Sequence, residues 1–151
     1  MRQNTVRLAL GAVVSCFFLM WSAHRVIAQR PSPVTMTRLY TGPDGQTHGE
    51  RIEIRLRPLS IGGEQSKTSA VSGMEFRRFP PGWMNDWHTA PKRQYVITLS
   101  GRSEVEMTGG KKFVNNPGSV VLAEDLTGKG HITRTFGSED WISVAIPVPR
   151  K

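Results

Sequence analysis

The residues of this chain best suited to chemistry are His88 and His131, because imidazole can bind a metal ion or carry a proton near neutral pH. Asp86 precedes His88 by two positions, and Gln94 follows it by six. Side chains alternate with period two on an extended segment, so Asp86 and His88 are predicted to share one face. An imidazole and a carboxylate that converge from one strand make half of a metal site.

Further candidate residues come from other parts of the chain. His48 stands just before an alternating segment and could reach the same site as an additional metal ligand. Glu124 and Asp125 begin a polar, glycine-containing loop, where they are candidate ligand-binding residues or replacement metal ligands. Trp83 and Tyr95 are the aromatic candidates, since a ring gives a small molecule a flat apolar platform.

The residue patterns of the segments that must position these side chains predict short β-strands. Ile52, Ile54 and Leu56 alternate with charged residues, which is the strict period two of a half-buried strand. A second alternation begins at Tyr95, and glycine turns separate further apolar segments up to Pro147. No segment after residue 30 has a helical apolar period. About eight or nine short strands predict an all-β sandwich or barrel.

The N-terminal residues predict export. Arg2 and Arg7 form a basic region before the uncharged apolar run 8–21, which is shorter than the ~20 residues of a typical membrane span. We therefore expect a signal peptide at 1–28, a linker at 29–34 and a single domain at 35–151. The predicted localisation is periplasmic or secreted, without stable membrane insertion after cleavage. The alternative is an uncleaved N-terminal membrane anchor with the domain facing the periplasm.

The composition of the chain indicates which class of molecule the protein binds. The chain has 151 residues, enough for one domain with a core, and its single cysteine, Cys16, lies in the predicted signal peptide. Without the signal peptide, 17 basic and 12 acidic residues leave a net charge of 17 − 12 = +5. These charges are scattered and no aromatic residues are interleaved with them, so we expect a small-molecule partner and no nucleic acid.

The glycine spacing around His88 resembles that of a known family, the cupin superfamily. Its first motif, G-x5-H-x-H-x3-E-x6-G, is similar to Gly82-x5-His88-x-Ala90-x3-Gln94-x6-Gly101. Its second motif, G-x5-P-x-G-x2-H-x3-N, is similar to Gly118 followed by Leu126-Thr127-Gly128-x2-His131, with a longer loop and Thr135 in the last position. The chain also resembles small single-domain cupins of undefined function. The resemblance implies a small jelly-roll β-barrel that holds one divalent metal, with Fe, Mn, Zn and Ni as the candidates.

Two hypotheses about function follow from this resemblance. The chain retains His88 and His131, replaces a glutamate ligand by Gln94, and offers no ligand at Ala90. In the first hypothesis the protein is a metal-dependent enzyme with His88 and His131 as metal ligands, and Gln94 plus Asp86 or His48 completes the metal shell. In the second, His88, Gln94 and His131 form a metal-free polar cluster that binds a small ligand without catalysis. We also expect a homodimer that pairs through a sheet edge or an N-terminal strand.

Overall fold

The computed structural model describes residues 32–149, and nearly all of their regular structure is β. The strands are β1 (Thr35–Thr41), β2 (Thr47–Glu53), β3 (Leu56–Pro58), β4 (Glu64–Ser66), β5 (Glu75–Phe79), β6 (Met84–His88), β7 (Gln94–Ser100), β8 (Ser103–Glu106), β9 (Lys112–Asn115), β10 (Val120–Glu124), β11 (His131–Thr135) and β12 (Trp141–Pro147). A short 3-10 turn at Thr108–Gly110 joins β8 to β9. The all-β fold class that the sequence predicts is confirmed.

Two large sheets build the domain. One has six strands in the order β2-β1-β10-β7-β12-β5, and the other has four in the order β6-β11-β8-β9. Neighbouring strands are antiparallel except β1 and β10, which run parallel. The sheets face each other, because the side chains that line one cavity come from both. This arrangement of two opposed, mainly antiparallel sheets agrees with the predicted jelly-roll barrel.

The alternating segment that begins at Arg51 forms two strands instead of one. β2 ends at Glu53, and β3 pairs with β4 in a separate hairpin. The polar segment after Pro58 contains the short strand β4, all of whose residues are exposed. This hairpin lies outside the two large sheets, so it plays no part in positioning the cavity.

A small apolar cluster lies between the sheets. Leu39, Val105, Met107 and Val121 are almost completely buried there. Burying a side chain of this size contributes about 1.5–3 kcal/mol to folding. Three of the four residues also line the cavity, so the core and the cavity share a wall.

A β-bulge interrupts the alternation on β6. The β6–β11 ladder pairs His88 with His131 and then Asn85 with Thr133, so two residues of β6 lie opposite one residue of β11. An extra residue shifts the side-chain alternation by one position. Asn85 and His88 therefore both line the cavity, and Asp86 is exposed. The expectation that Asp86 and His88 share a face is wrong for this reason.

The predicted signal peptide at 1–28 and the first part of the predicted linker, 29–31, lie outside the described residues. Residues 32–34 of the linker lead directly into β1 without regular structure. Within residues 32–149, no helix is long and apolar enough to span a membrane.

Candidate functional site

The site is a half-open cavity of about 290 Å³ between the two sheets. Three aromatic rings form one wall: the centroids of Phe79 and Trp83 are 4.1 Å apart, and those of Phe79 and Trp141 are 5.2 Å apart. Aliphatic residues of the core, including Leu39 and Val121, form another wall. A cavity with mostly apolar walls and a few polar side chains is the usual form of a small-molecule site.

His131 is a buried polar group of the site, and a carboxylate holds its ring in place. Its Nδ1 lies 2.6 Å from Oδ2 of Asp125, and the same oxygen accepts a hydrogen bond of 3.2 Å from the hydroxyl of Thr47. Asp125 is completely buried. A carboxylate oxygen in such a contact accepts, so Nδ1 of His131 carries a proton and Nε2 is left for other partners. Asp125 thus lies behind His131 and orients it.

His88 lies beside His131, with their ring centroids 4.4 Å apart. Its Nδ1 contacts the backbone carbonyl oxygen of Asp86 at 2.7 Å. Burial lowers the pKa of His88 below its ordinary value of 6.5; the carbonyl of Asp86 opposes this shift, and the nearby imidazole of His131 adds to it. His88 is therefore neutral at neutral pH.

A second polar group lies on the inner face of the six-stranded sheet. Gln94 is only 4% exposed, and its Oε1 accepts a hydrogen bond of 3.3 Å from Nη2 of Arg77. Arg77 also makes an ion pair of 2.8 Å with Glu75, whose side chain is about half exposed. Ser143 lies directly across the ladder from Arg77. Arg77, Gln94 and Ser143 all line the cavity.

Two of the predicted metal ligands lie away from the cavity. Nε2 of His48 is 3.0 Å from Oδ1 of Asp44 at the surface, and the His48 ring packs near Tyr40. Asp86 is exposed, and its carboxylate accepts a hydrogen bond from the backbone N–H of Trp87. Neither side chain is among those that line the cavity.

Of the four predicted ligand-binding residues, two belong to the site and two face away from the cavity. Trp83 lines the cavity, and Asp125 supports it from behind His131. Tyr95 follows Gln94 on β7, so it points to the opposite face of the sheet. Glu124 precedes Asp125 and also faces outward, where two arginines bind it. Neither Tyr95 nor Glu124 is among the residues that line the cavity.

Glu124 gives a prediction about acid stability. Its carboxylate accepts hydrogen bonds of 2.6 Å from Arg38 and 2.5 Å from Arg93. Burial alone would raise the pKa of Glu124, but the two guanidinium groups outweigh it and leave the pKa below its ordinary 4.5. A lowered pKa in the folded state stabilises the fold fully above pH 4.5, and this contribution disappears as the pH falls through the folded-state pKa.

We therefore expect Glu124→Gln to cost about 1–3 kcal/mol at pH 7 and to flatten the loss of stability below pH 4.5. Urea unfolding between pH 3 and 7 measures both effects. Glu50→Gln, which removes the exposed partner of Arg38, is the control and should keep the wild-type pH profile. A Glu124→Gln variant as acid-sensitive as the wild type would contradict the assignment.

The residues of the site fit a tightly held divalent metal poorly. Among residues 32–149, no group of three or more His, Cys, Asp or Glu side chains is placed to hold a metal ion. Of the five predicted ligands, only His88, Gln94 and His131 line the cavity. The oxygen of Gln94 already accepts a hydrogen bond from Arg77, a permanent cation whose charge opposes that of a metal ion. The donor set is thus two imidazoles and an amide beside a positive charge.

Sequence reasoning missed Arg77 and Ser143. The segment from Trp141 does carry a signal, because period two places Ser143 on the same face as Trp141 and Ala145. A small hydroxyl between two apolar neighbours on an inner face indicates a polar contact inside the fold. Arg77 carries a similar signal, because it lies two positions before Phe79 and period two places both side chains on the same face of the strand. Only strand pairing shows that the two residues face each other across the β5–β12 ladder.

Comparisons with known proteins add little to this description. No protein-family model matches the sequence, and no curated protein matches it. Among solved structures, the chain is similar to a protein from Salmonella typhimurium LT2 assigned as ethanolamine utilization protein Q, with 11% identity and a TM-score of 0.37. The similarity covers 80% of this chain and 99% of the other. At this TM-score it carries no information about ligand or activity, and membership of the cupin superfamily stays a prediction.

Proposed function

We propose that this protein binds a small organic molecule in the cavity between its two sheets, and that binding requires no metal ion. The observation that supports the proposal is the cavity itself, which combines apolar walls with a few inward-facing polar side chains. Aromatic and aliphatic walls exclude water around an apolar ligand body, and the polar groups fix its orientation. Affinity and orientation thus come from different parts of the lining.

The histidine pair gives the ligand a defined polar contact. Asp125 fixes the ring of His131, which presents Nε2 as a hydrogen-bond acceptor. His88 is neutral, so it adds no charge to the cavity at neutral pH. A ligand hydroxyl or amide N–H suits Nε2 of His131, because an acceptor must be matched by a donor.

The second candidate is the metal-dependent enzyme. One observation favours it: two imidazoles lie side by side, and a buried carboxylate orients one of them, as in many metal sites. In such a site His88 and His131 would hold the metal, which would polarise a substrate or activate water. Metal analysis of protein purified without a histidine tag separates the candidates. Stoichiometric metal in the wild type that is lost in His88→Ala would favour the enzyme over the metal-free binder.

Filling the cavity tests the proposal. Ala123 lies on β10 in the cavity wall and is 5% exposed, so Ala123→Leu adds volume inside the cavity. We expect the chelator-treated wild type to bind phenylacetate or phenylacetamide, and Ala123→Leu to lose at least tenfold in affinity, about 1.4 kcal/mol. The readout is the indole N–H resonance of Trp141, which donates to Thr98 beside the cavity. Ala70→Leu, the same change at an exposed loop position, is the control.

If neither compound perturbs the Trp141 resonance of the wild type, the proposed function is contradicted. The same holds if both bind Ala123→Leu as tightly as they bind Ala70→Leu, because binding would then lie outside the cavity. Urea unfolding of Ala123→Leu shows whether the variant is folded, and we expect a stability change of no more than about 1–3 kcal/mol.

A further inference from the structure

We propose that the ligand of this cavity carries a carboxylate group, held by Arg77 and Ser143. The inference rests on the proposed function, since it names the ligand class that the same cavity takes. It concerns the wall formed by β5, β12 and β7, and not the histidine pair on β6 and β11.

Strand pairing brings the two residues together. Ser143 of β12 lies opposite Arg77 of β5 on one side and opposite Thr98 of β7 on the other. Arg77 and Ser143 both line the cavity, and the wall beside them is continued by Gln94. Directly opposed residues on neighbouring strands lie about 5 Å apart at Cβ, so one carboxylate can contact both side chains.

Ser143 supplies an unused polar group. The residue is completely buried, and among residues 32–149 its hydroxyl oxygen has no hydrogen-bond partner. A buried polar atom without a partner is uncommon in folded proteins and calls for a specific explanation. A carboxylate oxygen in the cavity would accept the hydrogen bond that this hydroxyl can donate. The orphaned hydroxyl therefore points to a ligand at this wall.

Arg77 supplies the charge. It is the sole Lys or Arg side chain among the residues that line the cavity, and no Asp or Glu belongs to that lining. Its Nη2 atom contacts both Glu75 and Gln94, whereas Nε and Nη1 have no hydrogen-bond partner within the described part of the chain. Glu75 meets Arg77 from the solvent side, where water screens its charge. Donors of the guanidinium remain for a ligand.

The balance of charge favours a carboxylate over other anions. The guanidinium carries a single positive charge, and its free Nε–H or Nη1–H can donate a hydrogen bond to an oxygen of one carboxylate. A dianionic phosphoryl group would leave an uncompensated charge among aromatic and aliphatic walls, which is costly. The expected ligand is a monoanion with an apolar body that packs against Phe79 and Trp141.

A pair of isosteric probes tests the inference in chelator-treated protein. Phenylacetate and phenylacetamide have the same shape and differ in charge. We expect phenylacetate to bind the wild type at least tenfold more tightly, because hydrogen bonds to a charged group are stronger than those to a neutral one. Titration followed by the indole N–H of Trp141 gives both affinities. Phenylphosphonate, titrated in a buffer basic enough to remove its second proton, serves as the dianionic probe and should bind more weakly than phenylacetate.

Two substitutions test whether Arg77 and Ser143 bind the carboxylate of the ligand. Arg77→Met should lower the affinity for phenylacetate to that for phenylacetamide, and Ser143→Ala should weaken phenylacetate several-fold. Arg78→Met, which removes a neighbouring exposed arginine that pairs with Asp140, is the control and should bind as the wild type does. The wild-type preference for phenylacetate requires no variant, so misfolding of Arg77→Met would not hide the answer.

Equal affinity of the wild type for phenylacetate and phenylacetamide would overturn the carboxylate while leaving the proposed function intact. Tighter binding of phenylphosphonate would overturn the monoanion. A preference for phenylacetate that persists in folded Arg77→Met would overturn the role of Arg77. Failure of all three probes to bind would contradict the proposed function itself.

Discussion

Replacing Gly130 with alanine is expected to destabilise the protein by about 3 kcal/mol or more. Gly130 has a φ of +77°, and a Cβ added there would lie 2.0 Å from the backbone carbonyl oxygen of His88 and 2.3 Å from its carbon. These are backbone atoms of β6, which cannot move away without disturbing the pairing of His88 with His131. Urea unfolding measures the loss, and probe binding should fall with it because the histidine pair is displaced.

Gly82→Ala is the matched control for this prediction. Gly82 has the same φ of +77°, yet a Cβ added there meets nothing within 4 Å. The variant should lose only the cost of the left-handed backbone, about 1–2 kcal/mol. The difference in unfolding free energy between the two variants therefore isolates the close approach of Gly130 to the backbone of His88. Equal losses would contradict that close approach.

Asp125→Ala is expected to cost about 2–4 kcal/mol and to weaken ligand binding. The carboxylate of Asp125 is completely buried and holds His131 at 2.6 Å and Thr47 at 3.2 Å. Its removal leaves the Nδ1 of His131 and the hydroxyl of Thr47 buried without their partner, which costs more than the lost hydrogen bonds alone. Urea unfolding measures the stability, and the imidazole resonances of His131 should show that its ring is no longer fixed.

An exposed contact between an aspartate and a histidine serves as the control for Asp125→Ala. Asp44 contacts His48 at 3.0 Å, but both side chains are about half exposed. Asp44→Ala should change the unfolding midpoint little, since exposed ion pairs contribute little to stability. If Asp125→Ala and Asp44→Ala were equally mild, Asp125 would not be the group that orients His131.

The parts of the site that depend on local spacing could be predicted from the sequence. Period-two alternation indicated strands around Ile52 and from Tyr95 onward, because side chains on a half-buried strand alternate between core and water, and glycine turns separated the further apolar segments. The resemblance to the two cupin motifs singled out His88 and His131, which lie side by side across the β6–β11 ladder. Gln94 was identified in the same way and does line the cavity.

The remaining parts depend on features that no local pattern carries. A β-bulge reversed the face of Asp86, and a bulge depends on how one strand pairs with another. The loop residue Asp125 turns inward behind His131, whereas Glu124, the other acidic candidate of the same loop, faces away from the cavity. Arg77 and Ser143 are far apart in the chain and meet only through the register of β5 and β12. Long-range pairing thus decides which polar side chains share the cavity.

The central claim is that the cavity binds a small organic molecule without a metal ion. The most direct test is an NMR titration of chelator-treated protein with phenylacetate. The titration is repeated after addition of Zn²⁺ and, in a separate sample, after addition of a sub-stoichiometric amount of Mn²⁺. We predict saturable shifts of the Trp141 indole resonance, whose ring lines the cavity, with the same affinity before and after the Zn²⁺ addition. Shifts that arise only once a metal ion is added would contradict the claim and favour the metal-dependent enzyme.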